Sequence, residues 1–185
     1  GLTAFGNNAL KANTTAASNT AVGYFSLGFT TTGSSNTAIG MRSLITNTSG
    51  SGNFAGGANT LYSNTTGTAN TGIGNSAVYA NTTGSNNVGI GTASLYNVSS
   101  GSNNLALGVD AGKLAGSGAG STLTTANKGV FVGYNSRAGA TPSTNEIVIG
   151  ADAIGNGNNT VTIGNATTTD NYFTGNINGA TWNGT

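Results

Sequence analysis

Gly6, Gly23, Gly40, Gly57, Gly74, Gly91 and Gly108 follow one another at a constant interval of 17 residues. With each taken as position 0, an aliphatic stands at +4: Leu10, Leu27, Leu44, Leu61, Val78 and Leu95. A second glycine stands at +10 in five units: Gly33, Gly50, Gly67, Gly84 and Gly101. An asparagine stands at +13 in six: Asn19, Asn36, Asn53, Asn70, Asn87 and Asn104. A period this strict describes one small unit stacked on itself, because a lone unit has too little apolar surface to fold. The interval then changes to 25 residues (Gly108 to Gly133), 17 (Gly133 to Gly150) and 14 (Gly150 to Gly164). This divides the chain into repeats over 1–164, with an insertion within 109–129, and a transition segment over 165–185.

The unit is rich in Gly, Asn, Thr and Ser, all poor helix formers. Thr20-Ala21-Val22 and Thr37-Ala38-Ile39 read as short strands, the +4 aliphatic marks a second strand, and the Gly/Asn/Ser groups are turns. Stacked units place like residues above like at ~4.8 Å, so the asparagines can form an amide ladder and the glycines supply positive φ at sharp turns. The fold class expected is therefore all-β, a parallel β-solenoid or β-roll. Val130-Phe131-Val132 and Ile147-Val148-Ile149 are apolar at every position. One face of such a strand fills the roll, and the other needs a second chain.

Composition removes many functions. Gly, Thr, Asn and Ser make up roughly three-fifths of the chain. Cys and His are absent, which excludes disulfides, Cys/His zinc sites and Ser-His-Asp or Cys-His nucleophiles. No cofactor or metal is implied, and no RTX-type calcium repeat is present. With 5 Lys+Arg against 4 Asp+Glu, a nucleic-acid partner is not expected. No apolar run reaches the ~20 residues of a membrane helix, so membrane insertion is not expected. The opening Gly1-Leu2-Thr3 carries no signal peptide and reads as part of a longer chain.

Asn19–Gly23 (N-T-A-V-G), Asn36–Gly40 (N-T-A-I-G), Asn86–Gly91 (N-N-V-G-I-G), Glu146–Gly150 (E-I-V-I-G) and Thr160–Gly164 (T-V-T-I-G) carry a resemblance. They resemble the YadA-like head repeat of trimeric autotransporter adhesins, which occurs in similar form in bacteriophage tail fibres. The resemblance covers about residues 1–164. It implies a left-handed β-roll of 14–17-residue coils, assembled side by side as a homotrimer. It further implies a non-enzymatic adhesive or structural fibre segment outside the cell, with a host-surface glycan or protein as receptor. Thr168–Thr185 resembles the stretch that leaves such repeats in phage fibres, which favours a virion tail fibre. The alternative is the head of a bacterial adhesin on the cell surface.

Candidate sites are few. Tyr62, Tyr79 and Tyr96 form a column at +5, where rings could meet sugars or simply stack. Strand alternation directs them outward or toward a neighbouring chain. Lys113 and Lys128 lie within the insertion-bearing stretch 109–129, with Asp110 nearby, and are candidate receptor contacts. The carboxylates Asp110, Glu146, Asp152 and Asp170 read as solubilising turn residues. Glu146 and Asp152 are the closest pair for a glycan-cleaving reading. Hydroxyl pairs at +8 and +9, Thr14/Thr15 through Ser99/Ser100, raise ice binding as a rival, against the commoner role of bonding turn backbone.

Overall fold

The structure is a computed structural model that describes residues 1–116 and 121–168. Each unit contributes one short strand ending just before its position-0 glycine. These are β1 (Thr3–Phe5), β2 (Thr20–Val22), β3 (Thr37–Ile39), β4 (Phe54–Gly56), β5 (Thr71–Ile73), β6 (Val88–Ile90) and β7 (Leu105–Leu107). The series continues with β9 (Val130–Val132), β11 (Ile147–Ile149) and β12 (Val161–Ile163), while β8 (Ala126–Asn127) and β10 (Ser143–Thr144) form a separate parallel pair. The ten main strands pair in parallel in chain order, giving a parallel β-solenoid of about nine turns with no helix among the described residues.

Register follows the glycines. Thr3 pairs with Thr20, Thr37 with Phe54, and Val88 with Leu105, each across 17 residues. The 25-residue interval is absorbed between β7 and β9 with register kept, since Leu105 pairs with Val130. Part of the extra chain folds back as an antiparallel bridge between Leu114 and Thr122. Leu123 and Ala126 return to full burial. The insertion is thus anchored in the core at both ends; its tip, including Ser117 and Gly118, lies outside the described residues.

The interior is filled one layer per coil. The middle residue of the strand points in (Ala21, Ala38, Ala55, Ala106, Phe131, Val148), opposite the +4 aliphatics, and all of these are buried except the first aliphatic, Leu10, which is partly buried. The +4 residues do not lie in a second strand, contrary to the expectation from sequence. Leu27, Leu44, Leu61 and Leu95 sit in turns at φ of 50, 50, 51 and 49, and Phe25 and Arg42 at +2 sit at 54 and 56. A left-handed residue costs ~1–2 kcal/mol for a side chain with Cβ. Full burial of a leucine contributes ~1.5–3 kcal/mol and offsets it. The turn also breaks period-two alternation, so +3 and +4 both face inward: Ser26 and Leu27 are buried together, as are Ser43 and Leu44.

The two glycine columns do different work. From Gly6 to Gly150, position 0 has φ of +123 to +137, and a Cβ on Gly6 would come within 2.6 Å of the Gly23 carbonyl oxygen. The +10 glycines are not at positive φ, which corrects the expectation for that column. They are required by close approach, because a Cβ on Gly33, Gly67 or Gly84 would fall on the carbonyl oxygen of Gly50, Gly84 or Gly101. Size compensation appears where the unit departs from consensus. Phe131 fills a place held by Ala or Gly in the preceding coils, and Gly112 replaces the +4 aliphatic beside it. A Cβ on Gly112 would lie 2.8 Å from the Phe131 ring.

Candidate functional surfaces

The +13 asparagines are wholly internal. Asn36, Asn53, Asn70 and Asn87 are buried, and each side chain reaches one coil forward. Asn53 Nδ2 donates to the Gly67 carbonyl (2.9 Å), and Asn53 Oδ1 accepts the Asn70 backbone N–H (2.9 Å). The same pair of bonds joins Asn70 to Gly84 and Asn87. A second ladder runs along +7, where Asn64 Nδ2 donates to Asn47 Oδ1 and Asn81 Nδ2 to Asn64 Oδ1, both at 2.8 Å. This second column was not singled out from sequence, although Asn recurs there. Among the described residues, the buried polar side-chain atoms without partners are Asn13 Oδ1, Thr30 Oγ1 and Asn81 Oδ1. They mark where Thr30 and Val98 interrupt that column. The asparagines are structural, each satisfying backbone that the next coil would otherwise leave unpaired.

Glu146 takes over the +13 column near its end. It is fully buried, which corrects its reading as a solubilising turn residue. Oε1 accepts the backbone N–H of Gly139 and of Gly157, each at 2.9 Å, and Oε2 accepts Ser143 Oγ at 2.7 Å. Three donors replace the water that a buried carboxylate loses. Asp152 is exposed and accepts Asn135 Nδ2 at 2.6 Å. A buried carboxylate with its oxygens taken and an exposed one on a turn do not form a facing acid pair. Asp110 is paired with Lys113 at 2.8 Å. Asp170 lies outside the described residues. No group of three His, Cys, Asp or Glu gathers as a metal site among the described residues.

The +8 hydroxyls are engaged. Thr14, Thr31, Thr48, Thr65 and Thr82 each donate Oγ1 to the +8 carbonyl of the next coil at 2.9–3.2 Å. The +11 serines accept backbone N–H groups from the preceding coil, as Ser34 does from Ala17 and Ser85 from Thr68. These bonds are the turn-backbone role weighed against ice binding.

The +5 tyrosines form a true stack. Ring centroids are 5.0 Å apart for Tyr62–Tyr79 and 4.8 Å for Tyr79–Tyr96, with planes 14° and 4° apart. Lys113 Nζ closes the far end, 5.5 Å from the Tyr96 centroid. Ring faces therefore meet one another, and the half-buried rings present their edges to solvent. Burial raises the Tyr79 phenol above its ordinary pKa, the two flanking tyrosines add to this, and Arg42 opposes it. Lys128 stands apart, exposed at a left-handed turn position (φ 56) before β9.

A second aromatic group was missed from sequence. The Phe25 ring lies 4.7 Å from Tyr24 and 6.4 Å from Phe29, with Lys11 Nζ 5.9 Å from its centroid. Gly28 occupies the +5 place here, and a Cβ on it would lie 3.1 Å from the Phe25 ring. The missing side chain gives Phe25 the room that tyrosine fills in later coils. The signal was the interruption of the +5 column by glycine next to a run of aromatics.

The outer face of the main sheet carries a run of exposed apolar side chains. Phe5, Ile39, Ile73, Leu107, Ile149 and Ile163 form one exposed column, 38–75% accessible, with Phe54, Leu105 and Val161 beside it. A parallel sheet is ordinarily covered on both faces.

No family description, curated protein or solved structure matches the chain. What fold and surfaces together define is a parallel β-solenoid with one uncovered apolar sheet face and one aromatic edge.

Proposed function

We propose that the protein is a structural and adhesive segment of a trimeric extracellular fibre, a bacteriophage tail fibre that attaches to a host surface. The observation that carries this reading is the apolar column on the outer sheet face, from Phe5 to Ile163. It runs the length of the described coils and is too continuous to belong to an isolated rod in water. Copies of the chain packed side by side cover it, and three copies around a common axis follow the family resemblance, as do the left-handed winding and coils of 14–17 residues. Stacked coils with internal amide ladders supply stiffness. Three copies supply multivalency, in which weak contacts add through effective concentration.

The test has two parts. Sedimentation equilibrium gives the assembly mass, expected at three chains. Fluorescently labelled protein is then added to whole bacterial cells, where saturable surface binding is expected. A folded assembly that binds no cell type across a broad host panel would argue for a spacer without adhesive function. The transition segment 165–185, on which the choice of a viral fibre over a bacterial adhesin head leaned, lies outside the described residues after Thr168.

A further inference from the structure

We infer that the aromatic edge of the solenoid is a docking track for an acidic polysaccharide laid along the coil axis. This rests on the fibre reading and adds the chemistry of its receptor. The track begins at Lys11 and Phe25 and continues through the stacked Tyr62, Tyr79 and Tyr96 to Lys113. Arg42 lies between the two aromatic groups and acts electrostatically on Tyr79. Three of the chain's five Lys and Arg residues therefore line one edge.

Carboxylates are absent from this stretch. The first acidic residue in the chain is Asp110, and it is paired with Lys113. Among the described residues Lys11 and Arg42 have no ion-pair partner, so the edge carries uncompensated positive charge. None of these side chains is demanded by stacking. The repeat asks for Gly, Leu and Asn at fixed inward places, whereas residue type varies at +2 and +5; Lys11 and Arg42 there are exposed and the tyrosines half-buried, with Ile45 buried between the two aromatic groups. Gly28 goes further, since its bare Cα leaves the space in which the Phe25 ring lies.

The pattern favours a glycan over other polyanions. Aromatic edges with phenol hydroxyls offer apolar contact and hydrogen bonds to sugar rings. Their repeat of ~4.8 Å is close to the length of one sugar unit in an extended chain. Nucleic-acid binding is normally carried by a dense basic surface, whereas this edge holds three cations, so contact with the sugar rings has to supply much of the affinity.

The experiment measures binding of the assembled protein to alginate, dextran and single-stranded DNA, with assembly mass recorded on the same samples. Binding is expected to alginate and not to dextran, and to weaken as salt rises. Lys11→Gln with Arg42→Gln should weaken alginate binding at least tenfold. Tyr79→Leu and Gly28→Ala should each weaken it severalfold, and Lys128→Gln should leave it unchanged. Gly28→Ala tests the Phe25 ring without removing an aromatic, should the tyrosine variant fail to fold. The inference is overturned if alginate does not bind, if binding ignores these substitutions, or if DNA binds as well as alginate. Failure with a three-chain mass would leave the fibre reading standing; a one-chain mass would remove that reading as well.

Discussion

Replacing Asn53 by alanine isolates what the internal ladder contributes. Asn53 Oδ1 is the acceptor that the structure gives the buried Asn70 N–H, at 2.9 Å. Its Nδ2 also donates to the Gly67 carbonyl and to Asn36 Oδ1, at 2.9 and 3.1 Å. The Gly67 carbonyl keeps a second donor in Asn64, and Asn36 Oδ1 keeps the Asn53 N–H, so neither is orphaned. The Asn70 N–H is orphaned. Asn70 Nδ2 also loses Asn53 Oδ1 (3.2 Å) but keeps the Gly84 carbonyl. A buried unpaired donor costs ~1–3 kcal/mol, and the three other lost bonds add ~1 kcal/mol each at most, so the variant should lose about 1–6 kcal/mol. That is a large share of the ~5–15 kcal/mol that holds an ordinary domain folded. Urea denaturation followed by circular dichroism measures it, with exposed Asn75→Ala as a control expected to shift by no more than ~0.5 kcal/mol. Equal effects from the two substitutions would refute the ladder as a source of stability.

Other substitutions test the coil interior. Gly112→Leu and Phe131→Ala should each destabilise by about 2–4 kcal/mol, by overpacking and by a cavity, whereas the double variant restores the Leu/Ala layer of other coils. A double-mutant cycle in urea should show coupling of more than ~1 kcal/mol, and additive effects would contradict the packing. Glu146→Ala orphans the Gly139 and Gly157 N–H groups, and should loosen the last coils first, seen as faster amide exchange at Val148 than at Ala55. The Tyr79 phenol is raised in the folded state, so the unfolded chain releases its proton at lower pH. Stability tied to this tyrosine is therefore intact below about pH 10 and falls as pH rises through and beyond it. Phenolate absorbance should show a tyrosine titrating later than free tyrosine, and Tyr79→Phe should remove that late step.

Much of the architecture could be read from spacing alone. An unbroken 17-residue glycine interval fixes which backbone groups meet, and the paired strands follow it. The +4 leucines could not be placed in the same way. Period-two alternation assumes extended backbone, and a left-handed residue at +2 and +4 turns two consecutive side chains inward. Residue type misled at Glu146, because a carboxylate ordinarily seeks water, and only the position in the +13 column shows that it stands in for asparagine. The tyrosine column was evident from its interval, but the face-to-face stacking that leaves only edges exposed depends on side-chain geometry. Lys11 and Lys113 share the +5 interval with the tyrosines, whereas Phe25 and Arg42 stand at +2, so spacing alone does not join them to that column. Phe25 reaches it because Gly28 leaves room for its ring, beside Lys11.

The central claim is that the sheet face running from Phe5 through Ile73 to Ile163 is closed by other copies of the chain. Sedimentation equilibrium of the unmodified protein and of an Ile73→Lys variant tests it most directly. The prediction is three chain masses for the first and dissociation for the second, since a lysine ammonium cannot be buried without a partner. A stable, folded species of one chain mass, indifferent to the substitution, would contradict it.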